Sequence, residues 1–285
     1  MFYEDLRPVE TMGLFHVHFH GKDVFCSLFV AVKGADMQKN NPIIIHVPHA
    51  STFIPEEEKQ YFVTPDLKHE IAVMTDHFCD DLYDIGEEMI RFPVSRLICD
   101  PERFRNDAEE IMSKNGMGAV YRKCSDGTPL KTVTEHHREE ILERYYDRHH
   151  MRLTEAVERK LKAYGTCLII DGHSFYDEPL PYELNQEKDR PDICIGTDPY
   201  HTPENLTETF CNYFREKGYT VKINRPFAGS LVPLKYYRKD PRVASVMIEI
   251  NRKLYMDHDL NKTDNYRRIK RDIQTIISDI SVVQK

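Results

Sequence analysis

The chain has 285 residues, of which 40% are hydrophobic and 30% are charged, and its formal net charge is −8 at pH 7. This composition is typical of a globular protein and excludes intrinsic disorder and fibrous repeats. The scattered lysines and arginines of an acidic chain do not form the basic surface that nucleic-acid binding requires, so we expect no nucleic-acid partner.

The cysteines and the apolar runs bear on location. Seven cysteines without a C-x-x-C pair fit neither a disulfide framework nor a thiolate metal site, so we expect reduced thiols and a cytoplasmic protein. The chain begins with acidic and polar residues, and no apolar run reaches the roughly 18 residues of a membrane span, so we expect no membrane partner. No long linker divides the sequence, which predicts a single domain over residues 1–285.

The predicted elements begin with an apolar stretch at residues 25–32, inside an N-terminal segment, residues 1–40, that we interpret as a hairpin or an edge strand. Short apolar runs then alternate with longer stretches of helical spacing. The predicted strands are residues 43–47, 96–99, 167–170, 192–195 and 243–250, and the predicted helices are residues 67–90, 134–164, 203–217 and 265–283. This alternation, with continuous apolar runs as strands, indicates an α/β domain with a mostly parallel sheet.

Two local patterns add detail. Pro203 fits the first turn of the helix at residues 203–217, with Thr202 as its cap. Residues 106–131 are rich in Gly, Ser, Lys and Asp, which favours a solvated surface loop over a mobile lid.

Ionisable residues follow several of the predicted strands. In open α/β sheets, ligands bind outside the carboxyl ends of the strands. The candidates there are His46, His49, Asp100, Glu102, Arg103, Asp171, His173 and Glu249. Zinc takes imidazole and carboxylate ligands, and a catalytic site keeps three protein ligands. The sequence therefore permits a site for one divalent zinc ion.

The histidines differ in their suitability as ligands. Pro48 ends the first of these strands and turns His49 outward, whereas His46 points to the opposite face of an extended chain. Asp171 is placed to hold the second ring nitrogen of His173, as carboxylates near metal ligands commonly do. Ser174 lacks the G-x-S-x-G context of a nucleophile.

Seven segments, taken in order, resemble the N-formylglutamate amidohydrolase family. They are HVPHAS, TDHFCDDLYD, SRLICDPERF, DGHSF, RPDICIGTD, NRPFAGS and SVMIEINRKLY, and they span residues 43–256. This family is similar in fold to the zinc carboxypeptidases and the aspartoacylase group. The resemblance implies a three-layer α/β/α fold with a mostly parallel, mixed central sheet, and it implies hydrolysis of an amide.

The resemblance also implies site residues. His49 and His173 match the histidine ligand positions, and Asp76 is the candidate for the carboxylate ligand, although a solvated Asp76 on a helix is equally compatible with its surroundings. The carboxypeptidase relatives use H-x-x-E, but Thr52 stands three residues beyond His49. The rivals for the third position are His77 and Asp80.

For the reaction, Glu249 matches the general base of the wider group, the alternative being a Glu249 paired with Arg252. Arg103 matches an arginine that steadies the substrate carbonyl, although Glu102 replaces the asparagine that precedes it in that group. The expected substrate-binding residues are Arg96, Arg225, Gly229 and Ser230. His150 is left outside the site, since it lies in a highly charged helix.

The expected partner is thus a small N-acyl amino acid, and the implied reaction is zinc-dependent conversion of N-formyl-L-glutamate to formate and glutamate. Fold and metal site do not select the substrate, so a deacylase or carboxypeptidase acting on another N-acyl amino acid or peptide is an alternative. A third hypothesis is a non-catalytic ligand-binding protein of the same fold.

Overall fold

The computed structural model describes residues 29–31 and 41–283. Its strands are β1 (Phe29–Ala31), β2 (Ile43–Val47), β3 (Met89–Arg91), β4 (Cys167–Phe175), β5 (Ile193–Gly196), β6 (Val221–Ile223), β7 (Val243–Asn251) and β8 (Ser281–Val283). Six of them form a central sheet in the order β3-β2-β4-β7-β5-β6. All neighbouring pairs in this sheet are parallel except β5 and β7, which confirms the predicted mixed, mostly parallel α/β architecture.

Six α-helices accompany the sheet within residues 41–283. They are α1 (Leu67–Met74), α2 (Cys79–Leu82), α3 (Glu135–Ile141), α4 (Arg148–Tyr164), α5 (Glu204–Glu216) and α6 (Tyr266–Asp279). A π-helical segment, Leu142–Asp147, joins α3 to α4, and 3-10 turns cover Glu56–Tyr61, Ile111–Asn115 and Arg252–Leu254. None of the helices in the described part of the chain is long and apolar enough to cross a membrane.

The helices cover both faces of the sheet. Successive side chains of a strand point to opposite faces. Accordingly, Ile43 and Ile45 of β2 pack in the cluster that contains residues of α2, α5 and α6. Ile44 packs instead with Leu153 and Val157 of α4. Each fully buried isoleucine contributes about 1.5–3 kcal/mol, which makes this three-layer packing the main source of stability.

The same alternation places the ionisable residues. His46 lies opposite Asp171 in the pairing of β2 with β4, and His173 lies opposite Glu249 in the pairing of β4 with β7. Within each strand, these residues lie an even number of positions from a residue that packs against α4: Ile44 in β2, Ile169 in β4 and Val243 in β7. They therefore project from the face that α4 covers. Four polar side chains therefore meet near the carboxyl ends of three adjacent strands.

Two predicted elements and one predicted cap are wrong. Residues 96–99 form turns rather than a strand, with Ile98 N–H donating to Ser95 O, and their apolar side chains fill a second core instead of the sheet. The helix predicted over residues 67–90 is broken into α1, α2 and β3, because Thr75 is extended and Phe78 adopts a left-handed conformation. Thr202 does not cap α5, since its hydroxyl donates to Ser245 O.

The segment 106–131 is not a solvated loop. Met117, Ala119 and Tyr121 in it are fully buried, and they pack in the second core with residues of α3 and of the turns at 95–99. The polar residues that dominate its composition lie between these buried side chains, and many of them are exposed. The segment therefore contributes side chains to the second core.

Of the predicted N-terminal hairpin or edge strand, only Phe29–Ala31 is described, and it pairs antiparallel with β8 rather than with the main sheet. The remainder of residues 1–40 lies outside the described residues. The six cysteines of the described part are buried and free of disulfides, as expected.

Candidate active site

Three side chains from separate segments converge beside the sheet: His49, Asp76 and His173. The distances are 3.3 Å from His49 Nδ1 to His173 Nδ1, 3.2 Å from His173 Nδ1 to Asp76 Oδ2, and 3.8 Å from His49 Nδ1 to Asp76 Oδ2. All three residues are at most 3% exposed.

Local structure explains why Asp76 points inward. The helix α1 ends at Met74, and the extended Thr75 and left-handed Phe78 turn the chain back toward the sheet. The Asp76 backbone N–H then donates to His49 O at 2.9 Å, which fixes the two segments together. The break in the predicted helix is therefore the feature that brings the carboxylate to the histidines.

The hydrogen bonds of His49 determine which of its ring nitrogens has a lone pair available to a metal ion. His49 Nε2 lies 2.9 Å from Asp100 Oδ1, while Arg96 and Tyr121 donate to the other oxygen of Asp100. Burial alone raises the pKa of Asp100, but the charge of Arg96 holds it well below its usual range. An ionised carboxylate only accepts, so His49 Nε2 carries a proton and Nδ1 offers its lone pair.

His173 is arranged in the same way. Its Nε2 lies 3.2 Å from Asp171 Oδ1 and 3.2 Å from Glu102 Oε1, and both are acceptors. Nε2 therefore carries a proton, and Nδ1 faces His49 and Asp76. Burial disfavours a second proton, but the charges of Glu102 and Asp171 outweigh it and raise the pKa of His173 well above its usual value. A metal ion at Nδ1 requires the neutral ring, so an ion and a proton compete for this atom.

A second layer of imidazoles supports Asp171. His46 Nδ1 donates to Asp171 Oδ1 at 2.7 Å, and His46 Nε2 lies 2.9 Å from His149 Nε2 of α4. One of these two Nε2 atoms donates to the other, which joins α4 to β2. His46, Asp171 and Glu102 also lie close enough together to hold an ion. The 2.7 Å contact is a direct hydrogen bond, however, so we interpret this group as support for His173.

The donor set of His49, Asp76 and His173 fits a zinc ion. Zinc–nitrogen and zinc–oxygen bonds of about 2.0–2.2 Å in a tetrahedron place the ligand atoms about 3.3 Å apart. The observed separations of 3.2–3.8 Å come close to this value. Arg252 Nη2 donates to Asp76 Oδ1 at 2.9 Å, which leaves Asp76 Oδ2 directed at the histidines. These three residues could hold a metal ion.

Next to this cluster is a cavity of about 400 Å³. Glu249 lines it and is 6% exposed, and its Oε2 has no hydrogen-bond partner among the described residues. Burial raises the pKa of this carboxyl to about 8. Arg252, the alternative partner of Glu249, bonds to Asp76 and Ser174 instead. A carboxyl with a raised pKa and an unpaired oxygen at a cavity is suited to proton transfer.

The predicted arginines have different surroundings. Arg103 lines the cavity, and its Nε has no hydrogen-bond partner in the described part of the chain; Asp100 Oδ2 lies 3.9 Å away. Arg96 also lines the cavity, but it bonds to Asp100 and Tyr121. Arg225 is not among the lining residues: its side chain is 65% exposed and lies 3.4 Å from Glu187. The structure thus does not bring Arg225 to the cavity.

The remaining candidates also divide into residues that line the cavity and residues that do not. Gly229 and Ser230 line the cavity, and Gly229 has a φ of 96°, a conformation that favours glycine. The rivals of Asp76 do not join the cluster: His77 Nε2 bonds to Ala72 O, and Asp80 does not line the cavity.

Sequence reasoning did not assign several residues that shape the site, although it considered Arg252 as a partner of Glu249 and left His150 outside the site. They are Tyr121, Tyr146, His149, His150, Tyr182 and Arg252. His150 lines the cavity with Nε2 bonded to Pro101 O. The histidine pair at 149 and 150 was a signal, but nothing in the sequence showed which face of the helix meets the sheet.

A mostly parallel sheet with imidazole and carboxylate groups gathered at its strand ends, beside an open cavity, is the architecture of an α/β enzyme. A sequence model of the N-formylglutamate amidohydrolase family matches residues 41–256. The chain belongs to this family.

Solved structures agree with this assignment. An N-formylglutamate amidohydrolase from Ralstonia eutropha is 25% identical, with a TM-score of 0.71 over 83% of this chain and 91% of that one. A gene product of Agrobacterium tumefaciens, 17% identical, shares the fold with a TM-score of 0.62 over 87% of this chain and 92% of that one. No curated protein matches the sequence significantly.

Proposed function

We propose that this protein is a zinc-dependent amidohydrolase that converts N-formyl-L-glutamate and water to formate and glutamate. Membership of the family supports the reaction. The observation that carries the metal dependence is the convergence of His49 Nδ1, His173 Nδ1 and Asp76 Oδ2. Hydrogen bonds at the far side of both rings, and the bond from Arg252 to Asp76, direct these three atoms at one point, where a cation would be stabilised.

When bound, zinc supplies Lewis acidity that polarises the amide carbonyl and makes water a stronger acid. Glu249 accepts a proton from the attacking water and passes it to the amide nitrogen as the carbon–nitrogen bond breaks. Its carboxyl is suited to both steps because no described residue holds its Oε2.

Arg103 has the complementary role. Its guanidinium borders the cavity with Nε unpaired among the described residues, so it is available to the substrate. We assign it to the carbonyl oxygen, where negative charge develops during attack. Asp100, Asp171 and Glu102 hold the two histidine rings with their Nδ1 atoms toward the metal position.

The test is formate release from N-formyl-L-glutamate by the purified protein, together with measurement of bound metal. We expect about one zinc per chain, loss of turnover with a chelator, and recovery when zinc is restored. Glu249→Gln should keep the metal but lower kcat by about 10²–10⁴-fold. A protein that binds zinc stoichiometrically and hydrolyses no N-formyl amino acid would refute the enzymatic proposal, and one that binds no metal would favour a ligand-binding role.

A further inference from the structure

The cavity is larger and more apolar than a small dianion requires. Its volume of about 400 Å³ is in the range that accommodates drug-sized ligands, and N-formylglutamate is smaller than these. Beyond the reacting groups, the wall consists largely of aromatic and aliphatic side chains. They include Phe104, Tyr146, Phe175, Tyr182, Phe227 and Leu234.

Four of the cavity residues form what we call the outer rim: Phe104, Tyr146, His150 and Leu234. The rings of Tyr146 and His150 are in contact, with centroids 4.2 Å apart and planes tilted by 40°, and the Tyr146 hydroxyl donates to Arg103 O. The other two members are apolar and exposed to solvent, Phe104 by 47% and Leu234 by 60%. Exposed apolar side chains at a cavity commonly mark a binding surface, because a ligand removes them from water.

A second cavity shares part of the rim. Tyr146, His150 and Leu234 line a second cavity of about 490 Å³ along α4 as well, together with Met151, which is 55% exposed. Inside the main cavity, Arg96 and Arg252 are already paired with carboxylates. Within the main cavity, the space beyond the reacting groups therefore offers apolar contact, whereas the second cavity also has charged side chains such as Glu155 and Lys235 in its wall.

We propose that the outer rim binds a bulky apolar group of the substrate, so that the protein also hydrolyses N-formyl amino acids with large apolar side chains. This proposal rests on the amidohydrolase function and extends its substrate class. The chemistry is unchanged: water adds to the formyl carbon, the carbon–nitrogen bond breaks, and the amine takes up a proton. The apolar side chain contributes through burial against Phe104 and Leu234.

The test compares N-formylglycine, N-formyl-L-leucine and N-formyl-L-phenylalanine, with N-formyl-L-glutamate as the reference, on the zinc-loaded protein. These first three substrates share the same N-formyl group and α-carboxylate, and they differ only in their uncharged side chains. We expect kcat/KM to be about 10-fold or more higher for N-formyl-L-phenylalanine than for N-formylglycine, with leucine between them.

Variants locate the effect. Phe104→Ser with Leu234→Ser should abolish most of the preference for phenylalanine over glycine and leave N-formylglycine turnover within about twofold. The matched controls are Phe53→Ser and Ile111→Ser, which alter side chains that are 59% and 62% exposed and lie outside the cavity lining. The controls should keep the wild-type preference.

The outcomes separate the two proposals. Hydrolysis of N-formyl-L-glutamate without any advantage of phenylalanine over glycine overturns the rim proposal and leaves the amidohydrolase function standing. A preference that survives the double Ser variant overturns it as well. Absence of turnover with every N-formyl amino acid, despite bound zinc, overturns both.

Discussion

Asp171→Asn tests how the site orients its histidines. Asp171 Oδ1 accepts from His46 Nδ1 at 2.7 Å and from His173 Nε2 at 3.2 Å, and Oδ2 accepts from Leu231 N–H at 3.1 Å. Asparagine has the same shape but only one acceptor oxygen. If this oxygen faces the imidazoles, the amide NH₂ meets Leu231 N–H, and two donors are left opposed in a buried position.

The size of the effect follows from this geometry. One buried polar group without a partner costs about 1–3 kcal/mol, so we expect the free energy of unfolding of the metal-free protein to fall by that amount. Loss of the charge also weakens His173 as a ligand. Carboxylates that support metal ligands change affinity by about 10–100-fold, so the Kd for zinc should rise by this factor, or about 1.4–2.7 kcal/mol.

Competition with a chromophoric chelator measures the Kd, and urea unfolding measures the stability. Asp189→Asn is the matched control, because that side chain is 95% exposed and pairs with Lys222 at the surface. It should change neither quantity appreciably. A zinc Kd for Asp171→Asn within twofold of the wild type would refute the role of Asp171 in holding His173.

Three further predictions concern buried charges in the metal-free protein. The pKa of Glu249 is about 8 in the folded state and ordinarily 4.5, so between pH 4.5 and pH 8 the folded state binds more protons than the unfolded state. The free energy of unfolding should therefore fall with rising pH in this range, by at most about 1.4 kcal/mol per pH unit. Urea unfolding at several pH values should show a flatter profile for Glu249→Gln, and parallel profiles would contradict this. The pKa of Lys131 is lowered by burial from 10.5 to about 7, so stability should rise with pH across that window, and Lys131→Met should remove the rise in the same assay. Arg252→Met leaves Asp76 without its buried guanidinium partner and should lower the free energy of unfolding by about 3–5 kcal/mol. Arg122→Met, at an exposed ion pair, should lower it by about 1 kcal/mol or less. Equal losses in the two variants would be inconsistent with this reasoning.

Much of the scaffold was predictable from local pattern. The run at residues 43–47 is a strand at those bounds, and the helical stretches at 134–164 and 203–217 correspond to α3 to α4 and to α5. Such elements carry a hydrophobic period along a continuous segment, so the signal is local. Polar residues at strand ends are also visible in the sequence, which is why His49, His173 and Glu249 could be singled out.

The irregular parts were not predictable in this way. Residues 96–99 have the apolar character of a strand, and residues 106–131 have the composition of a solvated loop, yet both contribute buried side chains to the second core. Their burial depends on contacts with helices that are distant in the sequence. Local composition reports whether a residue tolerates burial, but it does not report which partner covers it.

The sequence by itself therefore determined the α/β class, the principal strands and the chemical inventory of the site, because these depend on residue type and short-range periodicity. Only the tertiary structure decided the arrangement of that inventory: that Asp76 turns toward His173, that Arg252 pairs with Asp76 instead of Glu249, and that His149 meets His46. The physical reason is that hydrogen bonds and ion pairs act over a few ångströms. Which groups come within that range is set by the packing of segments about 100 residues apart or more.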